Sequence, residues 1–447
     1  MLPPVAFISR HSPLNSSLSP AFSPHRLRAQ KLPFKIVGEL RYNSDQRLGT
    51  KTGKERIMAK DEIPAGAISA DSHITEPPNC YVDYIDPKYR DVAPRIEKSD
   101  KGDEVYVIKD LKKVVPLALL DGAGYSIAER KARVGTIRFD ETRPAGWDPK
   151  ARAEAQERDG IAAEIIYASV GMALCTHPDA DYKNACMQAY NRWLAEFCGG
   201  LPNRLFGLAQ TAVMSVDSAI EDFRRAKEMG MVGMMMPGEP MQGDYDQPEY
   251  DALWECATDL DLPICFHILT SRTGGFSRKQ NAHRGHPMNS FLTIIRAVQD
   301  VVGILTLGGV FERHPKLKMV CAEGDAGWMP HYMYRMDHAA KFNVEGGIIP
   351  GLTKLPSEYL KSNVWMTFQD DWTAFKTADL MNYKQLIWAN DFPHTDSTWP
   401  HSQELLAEHT TELTEEQCQA IMRDNVAGIF NLPAGNKPWR MEKMAAE

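Results

Sequence analysis

The chain has 447 residues, with 51 Lys+Arg against 59 Asp+Glu, a formal net charge of −8 and 43 % hydrophobic residues. This is ordinary globular composition; the length suits two or three average domains or one α/β barrel with insertions. The absence of any apolar run of about 18 residues argues against a transmembrane helix, and the negative balance argues against a general nucleic-acid binder.

The charge is uneven. Residues 1–57 hold ten basic and three acidic residues, a net +7, so residues 58–447 carry −15. Met1–Gly38 contains no Asp or Glu and is rich in Ser and Pro. Such a segment buries too little surface to fold, and its acid-poor composition also resembles an organellar transit peptide. The expectation is a disordered or processed leader over 1–57, with Met58 an alternative start, and a folded acidic domain over 58–447. Eight cysteines (80, 175, 186, 198, 256, 265, 321, 418) include no pair at CxxC spacing. Buried free thiols are expected, which fits the cytoplasm better than a secreted disulfide framework.

From residue 66 onward, eight short apolar runs alternate with helical patterns. The predicted strands are Ala67–His73, Ala163–Val170, Phe206–Val213, Val232–Pro237, Leu262–Ile268, Lys316–Glu323, Val364–Gln369 and Gln385–Phe392. Near-continuous apolarity suits parallel strands buried on both faces, and Met234–Met236 reads as core. Predicted helices cover Tyr182–Cys198, Val216–Met229, Pro248–Leu260, Ser290–Val302, Ala326–Lys341 and Thr414–Ile429, the last opened by a Thr414–Gln417 capping box. Eight such βα units predict an α/β fold, a (β/α)8 TIM barrel. Residues 78–150 interrupt the alternation; the run Asp103–Lys109 predicts a small β-hairpin in an insertion over the barrel mouth.

Metal-capable side chains fall at the ends of four predicted strands. Strand one ends with Asp71, His73 and Glu76; strand five with His267; strand six with Glu323; strand eight with Asp391 and His394. Asp71 and His73 are two apart and share a face. A lone histidine in an apolar strand is more often a core residue than a ligand, and a strand-end Asp is usually a cap. Four strands presenting such groups at one end is a different matter, because buried charges must be paired or bind metal and barrel enzymes draw their catalytic residues from several strand ends. Mixed His/carboxylate sets suit Zn²⁺, Mn²⁺ or Fe²⁺. No P-loop or GxGxxG supports nucleotide binding.

Asp71-x-His73-x-x-Glu76-Pro77, His267 and Asn390-Asp391-Phe392-Pro393-His394 resemble the amidohydrolase superfamily, and more narrowly its amidohydrolase-related branch, which includes aminocarboxymuconate-semialdehyde decarboxylase. Gly308–Lys318, Gly327-Trp328 with Arg335 and Asp337, and Asp424–Asn431 extend the resemblance over about residues 66–432. It implies a distorted (β/α)8 barrel and a divalent metal held by Asp71, His73, His267 and Asp391. It also implies hydrolysis or nonoxidative decarboxylation of a small carboxylated or aromatic substrate, with Asp391 as acid–base group. Two positions depart from the decarboxylase pattern: Asp71 replaces a histidine, favouring a harder metal such as Mn²⁺ or Fe²⁺, and Glu323 replaces a histidine used in acid–base chemistry. Glu76, Glu323 and His394 therefore open an alternative, a dinuclear Fe or Mn oxygenase with two ions; Glu76 otherwise orients a ligand. A catalytically silent partner subunit is a third reading. Arg272, in a long loop with His283 and His286, is the candidate for a substrate carboxylate. The expected assembly is a homo-oligomer, or one with a related subunit, with no membrane or nucleic-acid partner.

Overall fold

The computed structural model describes residues 62–440 except 113, 272–291 and 293. The basic leader, Arg272, His283 and His286 lie outside the described residues. Eight parallel strands form one sheet in the order β1 (Ala67–Ser72), β5 (Ile161–Ile166), β6 (Leu205–Gln210), β7 (Gly233–Met236), β8 (Ile264–His267), β9 (Met319–Ala322), β10 (Val364–Phe368) and β11 (Leu386–Trp388). The last strand returns to the first: Asp391 N donates to Asp71 O at 3.0 Å and His73 N to Phe392 O at 2.7 Å. The sheet is thus nearly closed into a (β/α)8 barrel, and every predicted barrel strand is present.

The strands are buried along their length apart from half-buried Trp365 in β10, with β1, β5 and β6 buried at all six positions each. This is what continuous apolar runs sealed by helices outside and side chains inside should give. The helices supply the outer seal. Val216–Glu228 buries Ala219, Phe223 and Ala226, one face at helical spacing, behind the capping hydroxyl of Ser215. All eight cysteines are free. No described helix is long and apolar enough to cross a membrane.

Boundaries moved where polar networks compete with pairing. The second barrel strand stops at Ile166, and Val170 instead begins the helix Val170–Cys175. The eighth stops at Trp388, because Asn390 O accepts from Thr398 N and Ser397 Oγ rather than from a neighbouring strand. The predicted helix Thr414–Ile429 keeps its capping box but is divided by a π-helical turn at Ala420–Asp424. Arg423, fully buried in that turn, donates to the carbonyls of Ile63, Pro64, Gly66 and Ala434.

The segment between β1 and β5 holds more than a hairpin. Antiparallel β2 (Arg95–Lys98), β3 (Glu104–Val107) and β4 (Val115–Pro116) make a separate sheet. Only β3 has the alternating pattern visible in sequence; β2 is mostly exposed and polar, and β4 has two residues. Helices Leu117–Leu120 and Ile127–Arg133 follow.

Candidate metal centre

The strand ends bring six of the sequence-selected side chains together. Asp71 lies near the end of β1 and His73 just beyond it; His267 is the last residue of β8, Glu323 the first after β9, and Asp391 follows β11. Two overlapping sets have potential ligand atoms all within 4.8 Å of one another: Asp71, His73, His267 and Glu323, and His73, Glu323, Asp391 and His394. Glu323 (φ 50°) and Asp391 (φ 53°) occupy the left-handed region that non-glycine residues rarely adopt. Such strain collects where a site needs a particular aim.

The spacing fits a cation. His73 Nε2 and His267 Nε2 are 3.1 Å apart, His267 Nε2 and Glu323 Oε2 3.1 Å, His73 Nε2 and Asp71 Oδ1 3.4 Å, and His73 Nε2 and Asp391 Oδ1 3.5 Å. Metal–ligand bonds of about 2.1 Å put neighbouring donors roughly 3.0–3.4 Å apart in octahedral or tetrahedral geometry. His267 Nδ1 lies 2.9 Å from Ile268 O, so that nitrogen carries the proton and Nε2 presents a lone pair to the cluster. Asp71 Oδ1 and both Asp391 oxygens are buried and accept no well-aligned hydrogen bond, facing the imidazoles instead. Buried charge left so exposed to its neighbours demands a counter-ion.

Polar residues behind the cluster hold it in place. Thr367 Oγ1 donates to Asp71 Oδ2 at 3.4 Å and accepts from Glu323 N at 2.6 Å. Asn390 Oδ1 accepts from Ser69 and Ser72, both at 3.0 Å. Fully buried Arg152 pairs with Glu164 at 2.6 Å and donates to His73 O at 2.8 Å and to Phe392 O at 3.2 Å, tying the first and last strand ends together. Sequence reading missed this pair, although Glu164 inside Ile-Ala-Ala-Glu-Ile-Ile was its signal: a charge in a buried strand needs a partner.

Electrostatics follow from burial and crowding. Burial opposes the charged form of Asp71, but His267 and His73 overturn it and hold the carboxyl well below the usual range. Burial pushes Asp391 well up, reinforced by Asp71 and Asp396. It likewise raises Glu323, with Asp391 adding to it. Burial lowers His394 to about 4 and, together with His394, His73 to about 3. His394 stacks on His73 with centroids 3.9 Å apart, places Nδ1 3.1 Å from Asp391 Oδ1 and turns Nε2 to Ser169 Oγ at 2.8 Å.

Glu76 does not join either set. Its Oε1 instead accepts from Ser169 N at 2.9 Å and Val170 N at 2.7 Å, the open amides at the start of Val170–Cys175. Burial pushes its carboxyl up to about 7.

A cavity of about 150 Å³ adjoins the cluster, lined by Glu323, Asp391, His394, Thr395, Asp396 and Ser169 and by apolar Val115, Leu119, Leu120, Met172 and Leu269. Val115, Leu119 and Leu120 come from the segment between β1 and β5. None of these apolar residues stood out in sequence, because only folding brings them to the cluster.

A nearly closed barrel with clustered imidazoles and carboxylates at its C-terminal end is the layout of a metal-dependent barrel enzyme. Residues 124–432 match the family model described as Amidohydrolase, and the chain belongs to that family. It is 25 % identical over 257 residues to gamma-resorcylate decarboxylase of Rhodococcus jostii, covering 54 % of this chain and 75 % of that protein. Among solved structures, an amidohydrolase from Mycobacterium avium subsp. paratuberculosis superposes with a TM-score of 0.66 at 20 % identity, over 82 % of this chain and 98 % of that one. A dihydroxybenzoic acid decarboxylase from Polaromonas, with bound manganese and 2-nitroresorcinol, gives a TM-score of 0.58 at 19 % identity, over 83 % and 98 %.

Proposed function

We propose that this protein is a metal-dependent nonoxidative decarboxylase of a small aromatic acid. The observation that carries the reading is the buried cluster of imidazoles and carboxylates at the strand ends, spaced for a cation, beside a cavity of about 150 Å³. A cavity of about that size takes a single benzene ring. The relative from Rhodococcus and the neighbour from Polaromonas are both named as decarboxylases of hydroxylated benzoic acids, which supports the lyase reading over an oxygenase.

Asp71, His73, His267 and Glu323 would hold the ion, with Asp391 beside them at 3.5 Å from His73 Nε2; the carboxylates of Asp71 and Glu323 suit a harder divalent metal such as manganese. When bound, the ion supplies the positive charge that anchors and polarises anionic oxygens of an aromatic acid. Loss of CO₂ requires the ring–carboxyl bond to break with its electron pair left on the ring, and a proton to reach that ring carbon. Asp391 lines the cavity and is the group placed to deliver it. His394, 3.1 Å from Asp391 Oδ1 and also facing the cavity, returns the proton. Val115, Leu119, Leu120 and Met172 exclude water around the ring.

Two variants test the assignment. His267→Ala is expected to lose divalent metal on elemental analysis. Asp391→Asn is expected to lower kcat for 2,6-dihydroxybenzoate (gamma-resorcylate) decarboxylation by roughly 10²–10⁴-fold. Manganese-loaded protein that releases no CO₂ from a panel of hydroxybenzoates, or an Asp391→Asn variant of unchanged rate, would sink the reading.

A further inference from the structure

A second, larger cavity of about 710 Å³ lies between the β2–β3–β4 sheet and the helix Ile127–Arg133. Its surface is unusual for a soluble protein. Of the ten large apolar residues left exposed among the described residues, Val114, Leu119, Ile127 and Val134 all line this groove, and Ile127 is 65 % exposed. Clustered exposed apolar side chains mark a binding surface rather than a random scatter, and the volume is that of a small-molecule pocket.

The groove adjoins the candidate site. Leu119 and Thr395 line both cavities, and Thr395 directly follows His394. Arg130 Nη1 donates to Thr395 O at 2.8 Å, fastening the groove's helix to the loop that carries His394. The inner cavity has room for one ring and little else, so a substituent on that ring must leave it, and the apolar groove adjoins it. Lys98, Lys101, Arg130 and Lys131 outnumber Asp100 and Asp103 in the groove's lining, which disfavours a cationic substituent.

We infer that the substrate is an aromatic acid carrying an apolar tail, with the ring at the strand-end cluster and the tail in the groove beneath Ile127. This rests on the decarboxylase reading for the ring and extends it to the tail. The tail contributes binding through burial of its methylenes, and the chemistry at the ring is unchanged: the ring–carboxyl bond breaks, CO₂ leaves and a proton takes its place.

The test uses the manganese-loaded full chain with two product analogues, resorcinol and 5-pentylresorcinol, by titration calorimetry. It adds the matching acids, 2,6-dihydroxybenzoate and its 4-pentyl derivative, by CO₂ release. The pentyl compounds are expected to bind, and to be turned over in kcat/KM, at least tenfold better than the unsubstituted ones. Ile127→Glu, at a largely exposed position, is expected to bring that ratio to within twofold, whereas Leu380→Glu, exposed elsewhere, leaves the ratio intact. A wild-type ratio near one, or one that Ile127→Glu does not change, overturns the tail assignment. Equal turnover of both acids would remove the tail and keep the decarboxylase. Preferential binding of 5-pentylresorcinol with no CO₂ from either acid would keep the groove and remove the decarboxylase.

Discussion

Arg152 shows how much a single buried side chain carries here. Its guanidinium neutralises Glu164 and satisfies the carbonyls of His73, Ala145 and Phe392. Arg152→Met leaves Glu164 charged without a partner and the carbonyls unpaired, so a loss of about 3–5 kcal/mol is expected in denaturant unfolding, part of it recovered by Arg152→Met/Glu164→Met. Asp159 makes the pH dependence legible. Burial pushes its carboxyl from 3.8 up to about 6, although Ser402 and Asn390 donate to it. A folded-state value above the unfolded one means that folding favours the neutral acid. Its contribution is full below about pH 4 and lost as pH rises through 6. Chemical denaturation should show a fall of about 2–3 kcal/mol across that window in the wild type and no such step from this site in Asp159→Asn. Sequence reading found the groups at the strand ends but not these supports. An Arg, a Glu or an Asp looks the same in sequence whether it is solvated or buried.

At the scale of elements, the wall over the cavity depends on close backbone approach. Gly122 N and Ala123 N both donate to Pro393 O, at 3.0 and 3.1 Å, and a Cβ on Gly122 would fall 2.3 Å from Thr395 Oγ1 and 2.6 Å from Thr395 Cα. Gly122→Ala must therefore push the Leu117–Leu120 wall away from the His394 loop. The expected result is an increase of several-fold in KM with metal content unchanged, and a stability loss of about 1–3 kcal/mol. Thr414 caps the divided last helix by accepting from Gln417 N at 3.2 Å; Thr414→Ala should cost about 1 kcal/mol by thermal unfolding. Helices with a clean apolar face and a cap were legible, as Val216–Glu228 shows. The sheet β2–β3–β4 was only partly so. Arg95–Lys98 has no apolar alternation, and its strand identity comes from pairing with Glu104–Val107.

For the whole molecule, the acidic excess of residues 58–447 acquires a structural meaning. Asp71, Glu323 and Asp391 converge on one buried point, where without a cation they repel each other and pay for their own desolvation. A chelator should therefore lower the thermal unfolding temperature, and adding manganese should restore it; at a free metal concentration 100 times Kd the stabilisation is about 2.7 kcal/mol. A transition that ignores both chelator and manganese would count against the centre. By itself the sequence determined the barrel, because eight apolar runs alternating with amphipathic helices can be buried together in few other ways. It also determined the ligand-capable residues, because imidazoles and carboxylates at the ends of buried strands need compensation. Tertiary structure alone decided that Glu323 and His394 meet the cluster while Glu76 turns to the amides of Ser169 and Val170. It alone brought Leu119 and Thr395 between two cavities. Those outcomes depend on distances between residues far apart in the chain, set by loop paths and backbone strain that leave no periodic signal in the sequence.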